Sequence, residues 1–203
     1  MCADTTVQFN VEYLYHMTHI TNIPSILKYG LLSHREAYDR GLNKVTIANP
    51  KVIAIRSRKL DGIFQRPLVD YVCLYFNPKN PMLFVQYREN LQNDIVILGI
   101  RANLLYRRNT VFTDGNAAVY ETLFYSKPEY LDCLHWEAIN ATYWSEFNEG
   151  KRKSCAEVLH YRSVSVDDIP IIFCGNKDTY LKANEATAYF NDVRAIYKPS
   201  LFF

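Results

Sequence analysis

The chain has 203 residues, 49% hydrophobic and 22% charged, with a formal net charge of +2. That balance predicts one globular domain over residues 1–203 with a sizeable core, and it excludes a disordered chain or a general polycation. Any nucleic-acid contact would need a local patch rather than overall charge.

Residues 12–16 are aromatic and weakly alternating, which predicts an early strand. Behind it, Ile23, Ile26 and Leu27 recur at helical spacing. Pro24 suits the first helical turn, Thr21 or Asn22 can cap it, and Gly30 can end it. Between strand and helix lies a polar elbow made by His16, Thr18 and His19. Residues 33–50 are polar, with a helical stretch around Arg35 to Arg40, and are long for a mere connection. Residues 51–60 fit a helix by the spacing of Val52, Ile55 and Lys59, and a strand by their β-branched content. Both remain open.

The apolar run 71–76 predicts a buried strand, followed by a rigid turn at Pro78 and Pro81 and a helix over 82–91. Residues 94–100 form the clearest central strand. Residues 111–116 are a strand running into an Asp114-Gly115-Asn116 turn. Residues 117–150 show no clean strand pattern, with short helices expected at 129–134 and 136–147. A strand is expected at 156–161 with Glu157 near its start, another at 169–174, a helix over 179–190 capped by Asp178, and a last strand at 195–197. This mixed order favours an α+β fold with a largely antiparallel or mixed sheet over a doubly wound one.

The cysteines (Cys2, Cys73, Cys133, Cys155 and Cys174) are odd in number and form no C-x-x-C pair, so neither a disulfide framework nor a zinc site is indicated. A reducing compartment follows. No apolar run approaches the roughly 18 residues of a membrane span. Residues 1–10 are polar and lack a basic-then-apolar signal. A cytoplasmic protein without a membrane partner is expected. Walker, Rossmann, zincin and G-x-S-x-G motifs are all absent.

On an alternating strand His16 and Thr18 share a face and could bond a ligand's hydroxyls or carboxamide. They also fit a strand end satisfied by backbone. Glu157 stands between a basic cluster and an apolar run. It is either an ordinary edge-strand glutamate or a carboxylate whose burial serves a function. Arg56 could meet a phosphate or a developing negative charge, or lie on the surface. Lys151 to Lys153 with Arg101, Arg107 and Arg108 form either a phosphate-contacting face or a solvated charge run.

Four segments in order then carry a resemblance. They are His16-Met17-Thr18-His19-Ile20-x-Asn22-Ile23-Pro24-Ser25-Ile26-Leu27-x-x-Gly30-Leu31-Leu32-Ser33, Asp70-Tyr71-Val72-x-x-Tyr75-Phe76-x-Pro78-x-x-Pro81-Met82-Leu83, Thr113-Asp114-Gly115-Asn116-Ala117-Ala118, and Lys153-x-x-Ala156-Glu157-Val158-Leu159. Together they resemble DarT, a family of bacterial toxins that ADP-ribosylate DNA. The resemblance implies an ADP-ribosyltransferase fold, with a split mixed β-sheet, flanking helices and a cleft for NAD. His16, Met17 and Thr18 would contact the nicotinamide side, and Ser25, Leu32 and Arg56 would be further NAD contacts. Residues 35–55 would cover NAD, and 109–157 would read the acceptor.

Glu157 and Arg56 would be catalytic. The reaction would use NAD as ADP-ribose donor, without metal, and mark thymidine in single-stranded DNA within a short sequence context; some relatives take guanosine. A partner macrodomain antitoxin would remove the ADP-ribose. The chain is expected to be a monomer. A carboxylate such as Glu157 can stabilise the positive charge that builds on ribose as nicotinamide leaves. The family assigns proton removal from the acceptor to the arginine matching Arg56. Arginine is a very weak base, so stabilising the developing base anion is its easier role.

Cys73-Leu74 departs from the family's frequent Pro-Phe, a change expected to affect packing more than chemistry, and His160 replaces an apolar residue. The alternatives are an ADP-ribosyltransferase acting on protein or RNA, and a non-catalytic nucleic-acid-binding module, which would tolerate loss of Glu157.

Overall fold

β1 (Tyr13–His19) follows directly from the aromatic start of the chain, and the rest of the sheet is arranged around it. The structure, a computed structural model, describes residues 11–42 and 45–203. The polar 1–10 stretch with Cys2, and Asn43 and Lys44 of the polar segment, lie outside the described residues.

After β1 come α1 (Ile23–Tyr29), β2 (Leu31–Leu32), α2 (His34–Asp39), α3 (Pro50–Arg58), β3 (Tyr71–Tyr75), α4 (Pro81–Arg88), β4 (Ile95–Arg101), β5 (Thr110–Thr113), β6 (Phe124–Tyr125), α5 (Trp136–Asn140), α6 (Gly150–Lys153), β7 (Glu157–Tyr161), β8 (Ser163–Val164), β9 (Ile171–Cys174), α7 (Lys177–Thr187) and β10 (Arg194–Tyr197). Eight strands form one sheet in the order β10-β9-β4-β1-β3-β7-β5-β6. β9 and β10 are parallel, as a helical crossover through α7 requires, and the other neighbours are antiparallel. This is the expected mixed α+β fold.

β4 is buried from Ile95 to Ile100, which explains its continuous apolar run: both faces are covered. Leu14, Leu74, Val96, Leu98, Phe112 and Val158 build the larger core on one face. Met17, Tyr75, Leu83, Ile97 and Phe173 pack on the other.

α1 forms for the expected reasons. Ile23, Ile26 and Leu27 face the core, Pro24 stands in the first turn, and Gly30 ends the helix at φ 80. A Cβ on Gly30 would lie 2.7 Å from the Val164 carbonyl oxygen, so glycine alone lets β2 close onto β8 as a small ribbon.

Residues 50–58 are helical. Pro50 at the first position and the Asn49 side chain, which accepts from the Lys51 N–H, outweigh the β-branched content. The 129–134 helix is a 3-10 turn, Pro128–Cys133. The 136–147 helix stops at Asn140 and is followed by a 3-10 turn at Trp144–Glu146. α7 is capped by Asn176, whose side chain accepts from the Thr179 N–H at 2.9 Å. Asp178 lies inside the first turn and bonds Lys182 four residues on. Among the described residues no helix is long and apolar enough to cross a membrane.

Candidate active site

β1 pairs with β4 over seven residues, from Tyr13↔Arg101 to His19↔Ile95. With β3 it shares one pair, Tyr15↔Tyr75. Beyond that pair the strands diverge and the sheet splits. At the split a side chain meets the main chain: His16 Nδ1 donates to the Cys73 carbonyl oxygen at 2.9 Å. Burial pulls the His16 pKa down, although the Cys73 carbonyl works the other way. The ring is therefore neutral near pH 7, with the proton on Nδ1 and Nε2 left as an acceptor.

The split opens into a cleft of about 880 Å³. His16, Met17, Thr18, Ser25, Leu32 and Arg56 all line it, so the structure brings six side chains from β1, α1, β2 and α3 to one cavity. His19 does not belong to this group. Its Nδ1 accepts from the Thr21 N–H and lies 2.8 Å from the Thr21 hydroxyl, a local cap.

Asn22 has a different task from helix capping. Its Nδ2 donates to Thr18 Oγ1 at 3.1 Å and to the Val45 carbonyl at 2.7 Å, and its Oδ1 accepts from the Val45 N–H at 3.3 Å. Gln86 Nε2 reaches the Ile47 carbonyl at 3.3 Å. Residues 45–49 are thus strapped across the cleft. Gln86 also lines the cleft, and its buried Oε1 has no hydrogen-bond partner among the described residues.

Glu157 opens β7 and is fully buried, behind the cleft wall. Arg56 Nη2 donates to both its oxygens, at 2.6 and 2.7 Å, and the Ala117 N–H donates to Oε1 at 2.8 Å. The Glu157 N–H donates to Thr113 Oγ1, which in turn donates to the Gly115 carbonyl, tying the carboxylate to the turn after β5. Arg56 Nη1 donates to Cys73 Sγ at 2.9 Å.

Burial alone would lower the Arg56 pKa. The neighbouring Cys73 and Glu157 outweigh it and hold the pKa above the ordinary value, so the guanidinium stays charged. Burial pushes the Cys73 thiol up to about 12, with Arg56 opposing, so it is a neutral acceptor and not a nucleophile. Sequence reasoning gave Cys73 a packing role; the structure sets its sulfur on Arg56.

The acceptor-side turn is held by Arg152. Its Nη1 donates to Asp114 and its Nε to Glu149, both at 2.9 Å, while the Asn116 N–H donates to the Arg152 carbonyl. A Cβ on Gly115 would meet Arg152 Nη1 at 2.6 Å, so this turn needs glycine for the close approach. Arg101, Arg107, Arg108 and Lys151 to Lys153, which suit either a phosphate-contacting face or a solvated charge run, are not one surface of free cations. Arg107 is bidentate on Asp168, Arg101 reaches the Asp167 carbonyl, and Arg152 is held by carboxylates. Among the described residues no group of three or more His, Cys, Asp or Glu stands where it could hold a metal ion.

Sequence reasoning missed Asn22, Gln86 and the Ala117 N–H. An asparagine that precedes a helix reads as a cap, and a main-chain donor leaves no residue signature.

A family model described as DarT, ssDNA thymidine ADP-ribosyltransferase, matches residues 15–203. A DNA ADP-ribosyl transferase–DNA ADP-ribosyl glycohydrolase fusion protein of Thermosipho africanus is 34% identical over 193 residues, covering 94% of this chain and 49% of its own length. The chain therefore spans about half of that relative. A DNA ADP-ribosyl transferase of Thermus sp. is 34% identical over 161 residues, 74% of this chain and 75% of that protein. The structure of Thermus sp. 2.9 DarT in complex with ADP-ribosylated ssDNA superposes with a TM-score of 0.87 at 27% identity, covering 96% of this chain and 97% of that one. Thermus sp. 2.9 DarT in complex with NAD+ gives 0.78 at 28% identity, covering 95% and 98%.

Proposed function

Because the chain belongs to the DarT family of single-stranded DNA thymidine ADP-ribosyltransferases, we propose that it transfers ADP-ribose from NAD to thymidine in single-stranded DNA and releases nicotinamide. The observation that carries this reading is the fully buried Glu157, paired with Arg56 behind a cleft lined by His16, Met17, Thr18, Ser25 and Leu32. The cleft volume falls within the range of small-molecule and cofactor sites. The unpartnered Gln86 Oε1 and the free acceptor of His16 suit a ligand rich in hydrogen-bond donors, as NAD is.

The reaction breaks the bond between ribose and nicotinamide and forms one between ribose and a ring nitrogen of the base, whose proton leaves. Glu157 bonds a ribose hydroxyl and stabilises the positive charge on the sugar. Its oxygens already accept from Arg56 and Ala117, so its orientation is fixed before substrate arrives. Arg56 stabilises the negative charge that develops on the base. Its raised pKa disfavours service as a proton acceptor. Met17 packs with Tyr75 and Ile97 and presents an apolar wall, and the 45–49 strap covers the cleft against water.

We further propose that the chain is the toxin half of a toxin–antitoxin pair, a monomer of one domain acting in the cytoplasm. A macrodomain antitoxin removes its mark. The fusion of a DNA ADP-ribosyl transferase to a DNA ADP-ribosyl glycohydrolase in the Thermosipho relative supports this pairing.

The test is incubation with labelled NAD and thymidine-containing single-stranded oligonucleotides. Label on the oligonucleotide is expected. Label on protein or RNA and never on DNA overturns the proposal.

A further inference from the structure

The loop between α3 and β3 is built to hold apolar side chains out in water. It closes on itself through a bridge between Leu60 and Pro67. Asp61, fully buried, is its centre: Oδ1 accepts from the Ile63 and Phe64 N–H groups, and Oδ2 accepts from the Arg66 N–H and the Tyr71 hydroxyl. Arg66 lies over the Phe64 ring at 4.9 Å and the Tyr161 ring at 4.1 Å. A loop anchored this way is rigid, yet Leu60, Ile63 and Phe64 remain 45%, 41% and 38% exposed.

A second exposed pair stands beside it. Lys59 Nζ donates to the Val119 carbonyl at 2.5 Å, and Gly62 packs against the Phe124 side chain. In the segment between those contacts Tyr120 is 91% and Leu123 57% exposed. This apolar patch borders the reacting centre. Ala117, whose N–H bonds Glu157, is two residues from Val119, and Arg56 is three residues from Lys59. Arg58 and Arg66 bring positive charge, and Glu121, next to Tyr120 in the chain, lines the cleft.

Exposed apolar side chains gathered on two segments that touch each other suit an interaction site. Flat rings beside cations suit single-stranded nucleic acid, whose bases stack on aromatic faces while cations meet the phosphates. We propose that Phe64 of the Asp61-anchored loop and Tyr120 of the neighbouring segment form a base-stacking surface for the nucleotides flanking the acceptor thymidine; this rests on the function proposed above. The loop lies outside the 109–157 segment expected to read the acceptor.

The experiment compares the wild-type chain with Phe64→Ala, Phe64→Leu, Phe64→Tyr and Tyr120→Ala. It measures binding of a fluorescent thymidine-containing single-stranded oligonucleotide, and transfer of ADP-ribose to it. Loss of either ring should weaken oligonucleotide binding about tenfold, within the range of base–aromatic stacking, with the KM for NAD unchanged. Phe64→Leu should behave as Phe64→Ala, and Phe64→Tyr as wild type. Tyr189→Ala, which removes another highly exposed ring, in the turn just after α7, should change nothing.

Equal binding by wild type, Phe64→Ala and Tyr120→Ala overturns the stacking surface while leaving the transferase reading in place. Wild type that binds DNA without marking it, with binding weakened in the ring variants, overturns the transferase reading and keeps the surface. No DNA binding by wild type overturns both.

Discussion

β1 has two flanks, and they are made differently. Toward β4 it is a seven-residue antiparallel ladder buried in apolar side chains; toward β3 it keeps one pair and then leaves. The intact flank is held by repeated main-chain bonds and by area removed from water. The open flank is held by individual polar contacts, namely His16 on the Cys73 carbonyl, Arg56 on Cys73 and Glu157, and Asn22 on Val45. A cleft in a sheet thus arises where side chains replace a ladder, and those side chains are then placed to do chemistry.

Substitutions on the two flanks should separate accordingly. The largest effect is expected from Glu157→Gln. Loss of the charge that stabilises the ribose cation should lower transfer about 10³-fold, the scale of removing one preorganised electrostatic group. The oligonucleotide assay with labelled NAD measures this, and transfer within tenfold of wild type would remove Glu157 from the mechanism. Arg56→Ala should lower transfer about 10²-fold. It should also destabilise the fold by about 3 kcal/mol, because Glu157 is left buried and without its partner. Urea titration and the same assay separate the two losses; unchanged turnover would assign Arg56 to structure alone.

On the intact flank Leu98→Ala should cost about 3 kcal/mol of stability through a cavity. Transfer per folded molecule should stay within a few-fold of wild type, and a large fall in kcat there would mean that the flanks are not separable. Cys73→Ala should reduce kcat about fivefold, since a neutral thiol is a weak hydrogen-bond acceptor even for a charged donor. Cys73→Ser should restore most of it; equal rates for both would leave the sulfur a packing role.

The smallest effect is a pH dependence of stability. Burial depresses the folded-state pKa of His16 below its unfolded value of 6.5. As pH falls below that value the unfolded chain takes up a proton that the folded chain refuses, so stability drops, by at most about 1.4 kcal/mol per pH unit for this one group. Above it His16 contributes no slope. Urea midpoints between pH 7 and pH 5 should therefore fall less steeply in His16→Gln than in wild type, and identical slopes would exclude His16 as a source.

The intact flank was largely legible in the sequence, and the open one only in pieces. β4 declares itself because a continuous apolar run has few other destinations, and α1 because Pro24 and Gly30 mark its ends. α3 was ambiguous because its exposed apolar residues satisfy neither period cleanly; the deciding signal was the Asn49-Pro50 start. β2, β6 and β8 have two residues each, too few for alternation to register. His16, Met17, Thr18, Ser25, Leu32 and Glu157 were singled out through ordered segments that resemble a family, and Arg56 through the same resemblance, not by periodicity. Asp61 was invisible because three of its partners are backbone N–H groups of its own loop and the fourth, the Tyr71 hydroxyl, stands on the next strand. The Cys73–Arg56 contact joins a strand to a helix, and no local pattern encodes such a pairing.

The hydrogen bond from the Ala117 N–H to Glu157 has a consequence for how such a protein can change over generations. The segment that follows Ala117 carries Tyr120 and Leu123, both exposed, while Ala117 itself aims the carboxylate. A mutation that shifts this segment to favour a different neighbouring base also tugs on Glu157. Selectivity and speed are thus inherited together, and a lineage that drifts toward a new DNA context should show a correlated change in turnover.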